Sequence, residues 1–232
     1  MIRIVLVEPR EAGNVGAVAR AMKNFGLTDL AIVGRHPQLH PLAGWWASGA
    51  DDLVAAATFH ESLHAAIGDA HLTVATTSGR GRDGERGLTP AEVASLYGEL
   101  GESERLAIVF GREDHGLARE EVELCHRTAT IETSTALPTM NLAQSVAIFA
   151  YELAGRSGGR IAKTSRSRAR AILLERVHER LQALLLEAGF LHQENPDRIY
   201  REIRRWLVRL ELDEREAEIV LGIVRQLEWR IR

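Results

Sequence analysis

Short apolar runs at Ile2–Val7, Leu30–Val33, Leu72–Ala75, Leu106–Phe110 and Ala129–Ile131 alternate with stretches of helical spacing, and nothing else in the chain constrains its fold as strongly. Continuous apolar runs of strand length suit strands buried on both faces, and strands separated by helices join in parallel. The pattern therefore predicts an α/β fold with a parallel sheet and flanking helices. No internal repeat is visible. A Ser/Gly/Arg-rich stretch from Arg156 to Ser167 is the best candidate boundary, dividing residues 1–158 from a helical extension at 159–232. In the extension, Leu181, Leu184 and Leu185 form an apolar face that ends at Gly189. Asn195-Pro196 starts a second helix with Ile199, Ile203, Trp206, Leu207 and Leu210 on one side. Asp213 and Glu216 resemble a capping box ahead of Ile219, Val220, Ile223, Val224 and Leu227. These stripes read as core.

At 232 residues, 45% of them hydrophobic, the chain has enough apolar material for a sizeable core. No stretch approaches the length that spans a bilayer, and the opening run reads as a strand rather than a secretory signal. A cytoplasmic protein with no membrane partner is expected. Cys125 is the only cysteine, so no internal disulfide forms, and it reads as a small buried residue. The net charge of −3 conceals an asymmetry, since the acidic excess lies before residue 160 and a basic excess after it. Arg156, Arg160, Lys163, Arg166, Arg168 and Arg170 follow one another with no acid between them. Two readings stand: phosphate contacts to RNA, or a solvated linker.

Three segments carry candidate chemistry. Gly13-Asn14-Val15-Gly16-Ala17-Val18-Ala19-Arg20 follows the first strand, with glycines suited to a tight turn and Asn14 suited to cap the next helix. It lacks the G-x-G-x-x-G of a dinucleotide site. Arg20 lies among small alanines, so it is either a functional cation or a solvated surface arginine. Phe110-Gly111-Arg112-Glu113-Asp114-His115-Gly116-Leu117 ends another strand, where Gly111 admits a ligand close to the backbone and Arg112–Glu113 suits a surface ion pair. In Leu137-Pro138-Thr139-Met140-Asn141-Leu142 an extended, hydroxyl-bearing loop turns into an apolar helix capped by Asn141. Two further motifs are set aside. His60-Glu61-Ser62-Leu63-His64 matches a zinc-helix pattern but has no obvious third ligand, so no metal is expected. Gly79-Arg80-Gly81-Arg82-Asp83-Gly84 lacks the ending of a Walker loop and reads as a basic RNA-facing loop.

In this order the three segments resemble the signature motifs of the SPOUT superfamily of RNA methyltransferases, in its TrmH-like branch. The resemblance runs from Ile2 to about Gly155. It implies helices on both sheet faces and a trefoil knot in the C-terminal part of that domain, where elementary folding rules favour an unknotted sheet. It implies S-adenosyl-L-methionine as cofactor, tRNA as partner, a homodimer, and methylation of a ribose 2′-hydroxyl. The implied target is the first anticodon-loop nucleotide, position 32, cytidine or uridine. Ribosomal RNA as substrate, or a catalytically silent RNA-binding protein, are the alternatives; no DNA partner is expected. Carried over by position, the catalytic set is Asn14, Arg20, Glu113, Thr139 and Asn141. The cofactor set is Thr77, Ser78, Gly79, Gly111, Ile131, Pro138, Thr139 and Met140. Many relatives carry serine where Thr139 stands, and threonine keeps the hydroxyl while adding a methyl. The resemblance also implies that each site joins the cofactor of one subunit to Arg20 of the other. A guanidinium stays protonated at neutral pH, so orienting phosphate and stabilising the forming oxyanion suits Arg20 better than proton abstraction.

Overall fold

The computed structural model describes residues 1–37, 47–79, 86–154, 168–191 and 196–231. The chain divides into two compact units, Met1–Thr164 and Ser165–Arg232. The candidate boundary, with Arg156, Arg160, Lys163 and Arg166, lies outside the described residues, as does the basic loop at residues 80–85.

The first unit is built on β1 (Ile2–Val7), β2 (Asp29–Val33), β3 (Thr58–His60), β4 (Leu72–Thr76), β5 (Leu106–Phe110) and β6 (Arg127–Ala129). They form one sheet in the order β3-β2-β1-β5-β4-β6, and every pair is parallel. Along β1 the side chains alternate. Ile2, Ile4 and Leu6 enter one core with α1 (Ala12–Asn24), α2 (Asp51–Ala55), α4 (Pro90–Glu99) and α6 (Leu142–Ala154). Val5 and Val7 enter the other core, which α3 (Leu63–Ile67) and the end of α5 (Arg119–Glu123) cover. Period-two alternation explains why both faces are apolar and why helices must cover both. The expected α/β sheet is present, with two adjustments. The last strand lies two residues earlier than its apolar run, which leaves Ile131 in the loop beyond it. β3 carried no apolar run because it is an edge strand whose Thr58 and Phe59 are exposed.

Two local expectations are corrected. The Gly13–Gly16 segment is helix rather than turn: α1 begins at Ala12 after Glu11, so Asn14 lies within its first turn and does not cap it. The reversal after β1 falls instead at Glu8, whose φ of 45° is left-handed. The two histidines of the zinc-like pattern do not share a helix face. His60 ends β3, and Ser62 caps the helix that carries His64 by accepting from the Ala65 amide at 3.3 Å.

The second unit comprises α7 (Ala171–Glu187), α8 (Pro196–Arg209) and α9 (Glu214–Ile231). The capping box forms as expected, with Asp213 Oδ1 accepting from Glu216 N at 2.7 Å and Glu216 Oε2 from Asp213 N at 3.0 Å. The apolar stripes hold in part, since Leu184, Leu207 and Val224 of them are buried, and are otherwise corrected. Tyr200, Leu207, Ala217, Leu221 and Val224 are buried, whereas Ile199, Trp206, Leu210, Ile219, Ile223 and Leu227 are exposed. A three-helix unit buries a narrow stripe of each helix, and sequence spacing alone does not say which neighbouring stripe turns inward. Among the described residues no helix is long and apolar enough to cross a membrane.

Candidate active site

The carboxyl ends of β4, β5 and β6 surround a cavity of about 330 Å³. This edge is where open α/β sheets hold ligands, and the volume is that of a small-molecule pocket. Phe110 and Phe149 form an apolar wall, their rings edge to face at 5.7 Å. Thr77 and Ser78 bring hydroxyls from the end of β4, and Thr77 Oγ1 lies 2.9 Å from Thr130 Oγ1, which donates to Gly79 O at 2.9 Å. The third wall is the loop before α6, braced by Thr133 Oγ1 donating to Pro138 O at 3.0 Å. Thr77, Ser78, Gly79, Gly111, Ile131, Pro138, Thr139 and Met140 all line this one cavity. Residues distant in sequence therefore meet because their strands end at one edge.

The role expected of Gly111 changes. A Cβ there would lie 2.1 Å from Gly116 C and 2.3 Å from Leu117 N, so the chain approaching Gly111 is the protein's own loop. That loop closes on itself through Arg112 N to Gly116 O at 3.1 Å and Gly116 N to Arg112 O at 2.8 Å. The left-handed Gly116, at φ 67°, makes the reversal. Arg112 does not pair with Glu113. Its Nε contacts Glu8 at 2.8 Å, and both terminal nitrogens grip Glu121 at 3.0 Å. Those hydrogen bonds, from Glu121 first and Glu8 after burial's opposing effect, hold the guanidinium firmly protonated.

Glu113 instead reaches the start of α1. Its carboxylate accepts from Arg10 N at 3.0 Å, Glu11 N at 3.3 Å and Asn14 Nδ2 at 2.9 Å. Asn14 Oδ1 accepts from Asn141 Nδ2 at 3.1 Å, and Asn141 Oδ1 caps α6 through Ala143 N at 2.9 Å. One hydrogen-bonded chain thus ties the three motifs and fixes both amide orientations. Burial pushes the Glu113 carboxyl up, but Asn14 and the backbone donors outweigh it and hold it below the usual range. A depressed carboxyl contributes stability that is complete above its unfolded value and fades as pH falls through its folded one. The difference in unfolding midpoint between the parent and Glu113→Gln should therefore be constant from pH 6 to 8 and shrink below about pH 4. A difference that persists unchanged to pH 2 would contradict this bonding.

Arg20 is not brought into this cluster. It lies six residues beyond Asn14 on α1, about 9 Å along the axis, is exposed, and does not line the cavity. Thr139 lines the cavity from the loop. Sequence reading missed Ser145, Phe149 and Thr130. The first two follow Asn141 by one and two helical turns, a spacing that signals one face, whereas Thr130 had no such signal.

Residues 1–151 match the model of the SpoU rRNA Methylase family. The chain belongs to that family. Among curated relatives of this SpoU chain, the tRNA (cytidine/uridine-2′-O-)-methyltransferase TrmJ of Photorhabdus laumondii is 34% identical, over 98% of this chain and 96% of the relative. The tRNA (cytidine-2′-O-)-methyltransferase TrmJ of Methanocaldococcus jannaschii is 40% identical over 66% of this chain and 67% of its own. The crystal structure of TrmJ from Z. mobilis ZM4 superposes with a TM-score of 0.85 at 29% identity, covering 98% of this chain and 99% of that one. The family match ends within α6, and the Photorhabdus relative and the Z. mobilis structure extend across the helical unit as well.

Proposed function

We propose that this chain transfers the methyl group of S-adenosyl-L-methionine to a ribose 2′-hydroxyl of tRNA, at the first anticodon-loop nucleotide, position 32, cytidine or uridine. The reading includes a cytoplasmic homodimer, a trefoil-knotted catalytic domain at residues 1–158, and a helical extension at 159–232 that binds RNA or supports the dimer. The observation that carries it is the Glu113–Asn14–Asn141 chain beside a cavity of fitting size in an SpoU fold. The names of the relatives supply the substrate class. The cavity suits the cofactor chemically: apolar rings on one side, hydroxyls and strand-end backbone on the other, with the acidic residues Glu113 and Asp114 at its border. The guanidinium of Arg112 is already spent on two carboxylates and does not repel a sulfonium.

When bound, the cofactor supplies an electrophilic methyl. Thr77, Ser78 and the 133–140 loop would hold it and exclude water, which favours a step in which charges disappear. Asn14 and Asn141, each with its amide fixed, would present donors and acceptors of constant direction. Arg20 would grip the phosphate beside the target ribose and stabilise the oxyanion. An anticodon loop suits such a site because an unpaired ribose can be splayed out.

The deciding experiment incubates the protein with labelled cofactor and total RNA, then maps the label by nuclease digestion and mass spectrometry. Label at position 32 of tRNA is expected. Label in ribosomal RNA favours the substrate named in the family description, and no transfer with intact RNA binding leaves a silent binder.

The basic run tests the RNA surface separately. Arg168 and Arg170 pair with Glu211 and Glu214 at 3.1 and 2.8 Å, so their charges are partly committed within the second unit. Neutralising Arg160, Lys163 and Arg166 should lower the slope of log affinity against log salt by about two to three. An unchanged slope would leave the segment an inert linker.

A further inference from the structure

β1 and β5 are neighbours in the sheet, yet β1 leads into α1 on one face and β5 into α5 on the other. In an open α/β sheet the crevice between such strands is where a ligand ordinarily sits. Here side chains fill it. Glu8 follows β1 and Arg112 follows β5, and the two meet at 2.8 Å across the crevice. Glu8 is held from the other side as well: its left-handed backbone donates Glu8 N to Val33 O at 2.9 Å, and its side chain lies where a Cβ on Gly34 would approach to 3.0 Å. Glu121 takes the opposite edge of the guanidinium and also accepts from Ala118 N at 2.7 Å, fixing the far end of the same loop. The side chains of Arg112 and Glu121 are each only 18% exposed.

We propose that Arg112 is a positioning residue: its guanidinium clamps the Gly111–Leu117 loop between the end of β1 and the start of α5, and so sets the cofactor pocket and the place of Glu113. The clamp closes the crevice between β1 and β5 and leaves the cavity on the β5–β4–β6 side. It acts through the loop, because its nitrogens are occupied by Glu8, Glu121 and Gly116 O. Glu113 then reaches Asn14 from a base that cannot tilt. The grip needs a planar cation that offers Nε to one carboxylate and a fork to another, which an ammonium cannot do. This inference rests on the cofactor reading of the cavity for its binding consequence, but not for its effect on the loop.

The test uses the full chain carrying Arg112→Lys or, separately, Glu8→Gln, which leaves the more buried Arg112–Glu121 pair intact. Two quantities are read: S-adenosyl-L-methionine affinity by calorimetry, and amide hydrogen exchange of residues 112–118 against β1 and β5 without ligand. Arg112→Lys should weaken cofactor binding about tenfold or more, as small misplacements at a site do. Exchange in 112–118 should quicken while the two strands stay protected. Glu8→Gln should do the same to a smaller degree. In turnover, the Km for cofactor should rise by a larger factor than kcat falls. Unchanged loop exchange in both variants overturns the proposal, and so does an equal loss of protection in loop and strands, which marks a general structural role. If the parent protein binds no S-adenosyl-L-methionine, the cofactor reading fails, and the exchange comparison still decides the clamp.

Discussion

Arg20→Ala should lose turnover by at least about two orders of magnitude while cofactor affinity stays within twofold. The reason is positional. Arg20 is exposed, lies outside the cavity and is bonded to neither Asn14 nor Glu113, so removing it leaves the pocket untouched. A group that holds substrate phosphate and stabilises developing charge is missed at the transition state, not in the binary complex. Arg20→Lys should recover little, because an ammonium lacks the planar two-pronged grip. That Arg20 does not line the cavity of its own chain also motivates the shared-site arrangement. Mixing Arg20→Ala chains with chains whose cavity is filled by Ser145→Trp should restore activity in heterodimers, each pairing one intact pocket with one intact arginine. Ser145 lines the cavity from α6, outside the 111–117 loop, so a tryptophan there fills the pocket while Gly111 and Arg112 keep their own residues. Heterodimers seen by mass spectrometry that remain inactive would sink the shared site. Wild-type turnover in Arg20→Ala alone would make Arg20 a surface arginine.

The second large effect is expected at Gly111. Gly111→Val places a branched side chain where the Gly116–Leu117 peptide already lies, with the first carbon 2.1 Å from Gly116 C. Neither partner can yield, since both are backbone and Gly116 is held to Arg112 in both directions. The loop must open, taking Glu113 away from Asn14 and deforming one wall of the cavity. Cofactor binding should fall below detection. Overpacking of this kind costs about 1–3 kcal/mol, so the unfolding midpoint should drop by roughly 2–12 °C without loss of the sheet. Full cofactor affinity in a folded Gly111→Val protein would contradict the assignment of this cavity.

Much of the fold was legible because the first unit is a sheet buried on both faces. Such strands read as unbroken apolar runs, and β1, β2, β4 and β5 fall where those runs fall. β3 escaped notice as a short exposed edge, and β6 was displaced because Ile131 is apolar for the sake of the cavity, not the sheet. The candidate residues were legible as three motifs at strand ends, though two of their roles were misread. Asn14 looks like a cap in sequence, but its amide is occupied by Glu113 and Asn141, both about a hundred or more positions away. Arg112 looks like the partner of its neighbour Glu113, but adjacent side chains at a loop base diverge, and its partners are Glu8 and Glu121. In the helical unit the spacing gave helices and a capping box correctly, and the inward stripe only in part: Leu184, Leu207 and Val224 are buried, whereas Trp206, Leu210, Ile219, Ile223 and Leu227 are exposed.

Local chemistry alone therefore determined the parallel sheet and the helix starts at Asn141 and Asp213, because those depend on spacing, capping and strand burial within a few positions, while the roles of the motif residues came from the family resemblance. The tertiary structure decided what no local rule contains. It set the strand order β3-β2-β1-β5-β4-β6, which brings three loops to one edge, and it settled that Gly111 makes room for the protein's own chain. It also chose which carboxylates answer Arg112. Hydrogen bonds and close packing are made by whatever the fold brings within about 3 Å, and sequence distance has no part in that choice.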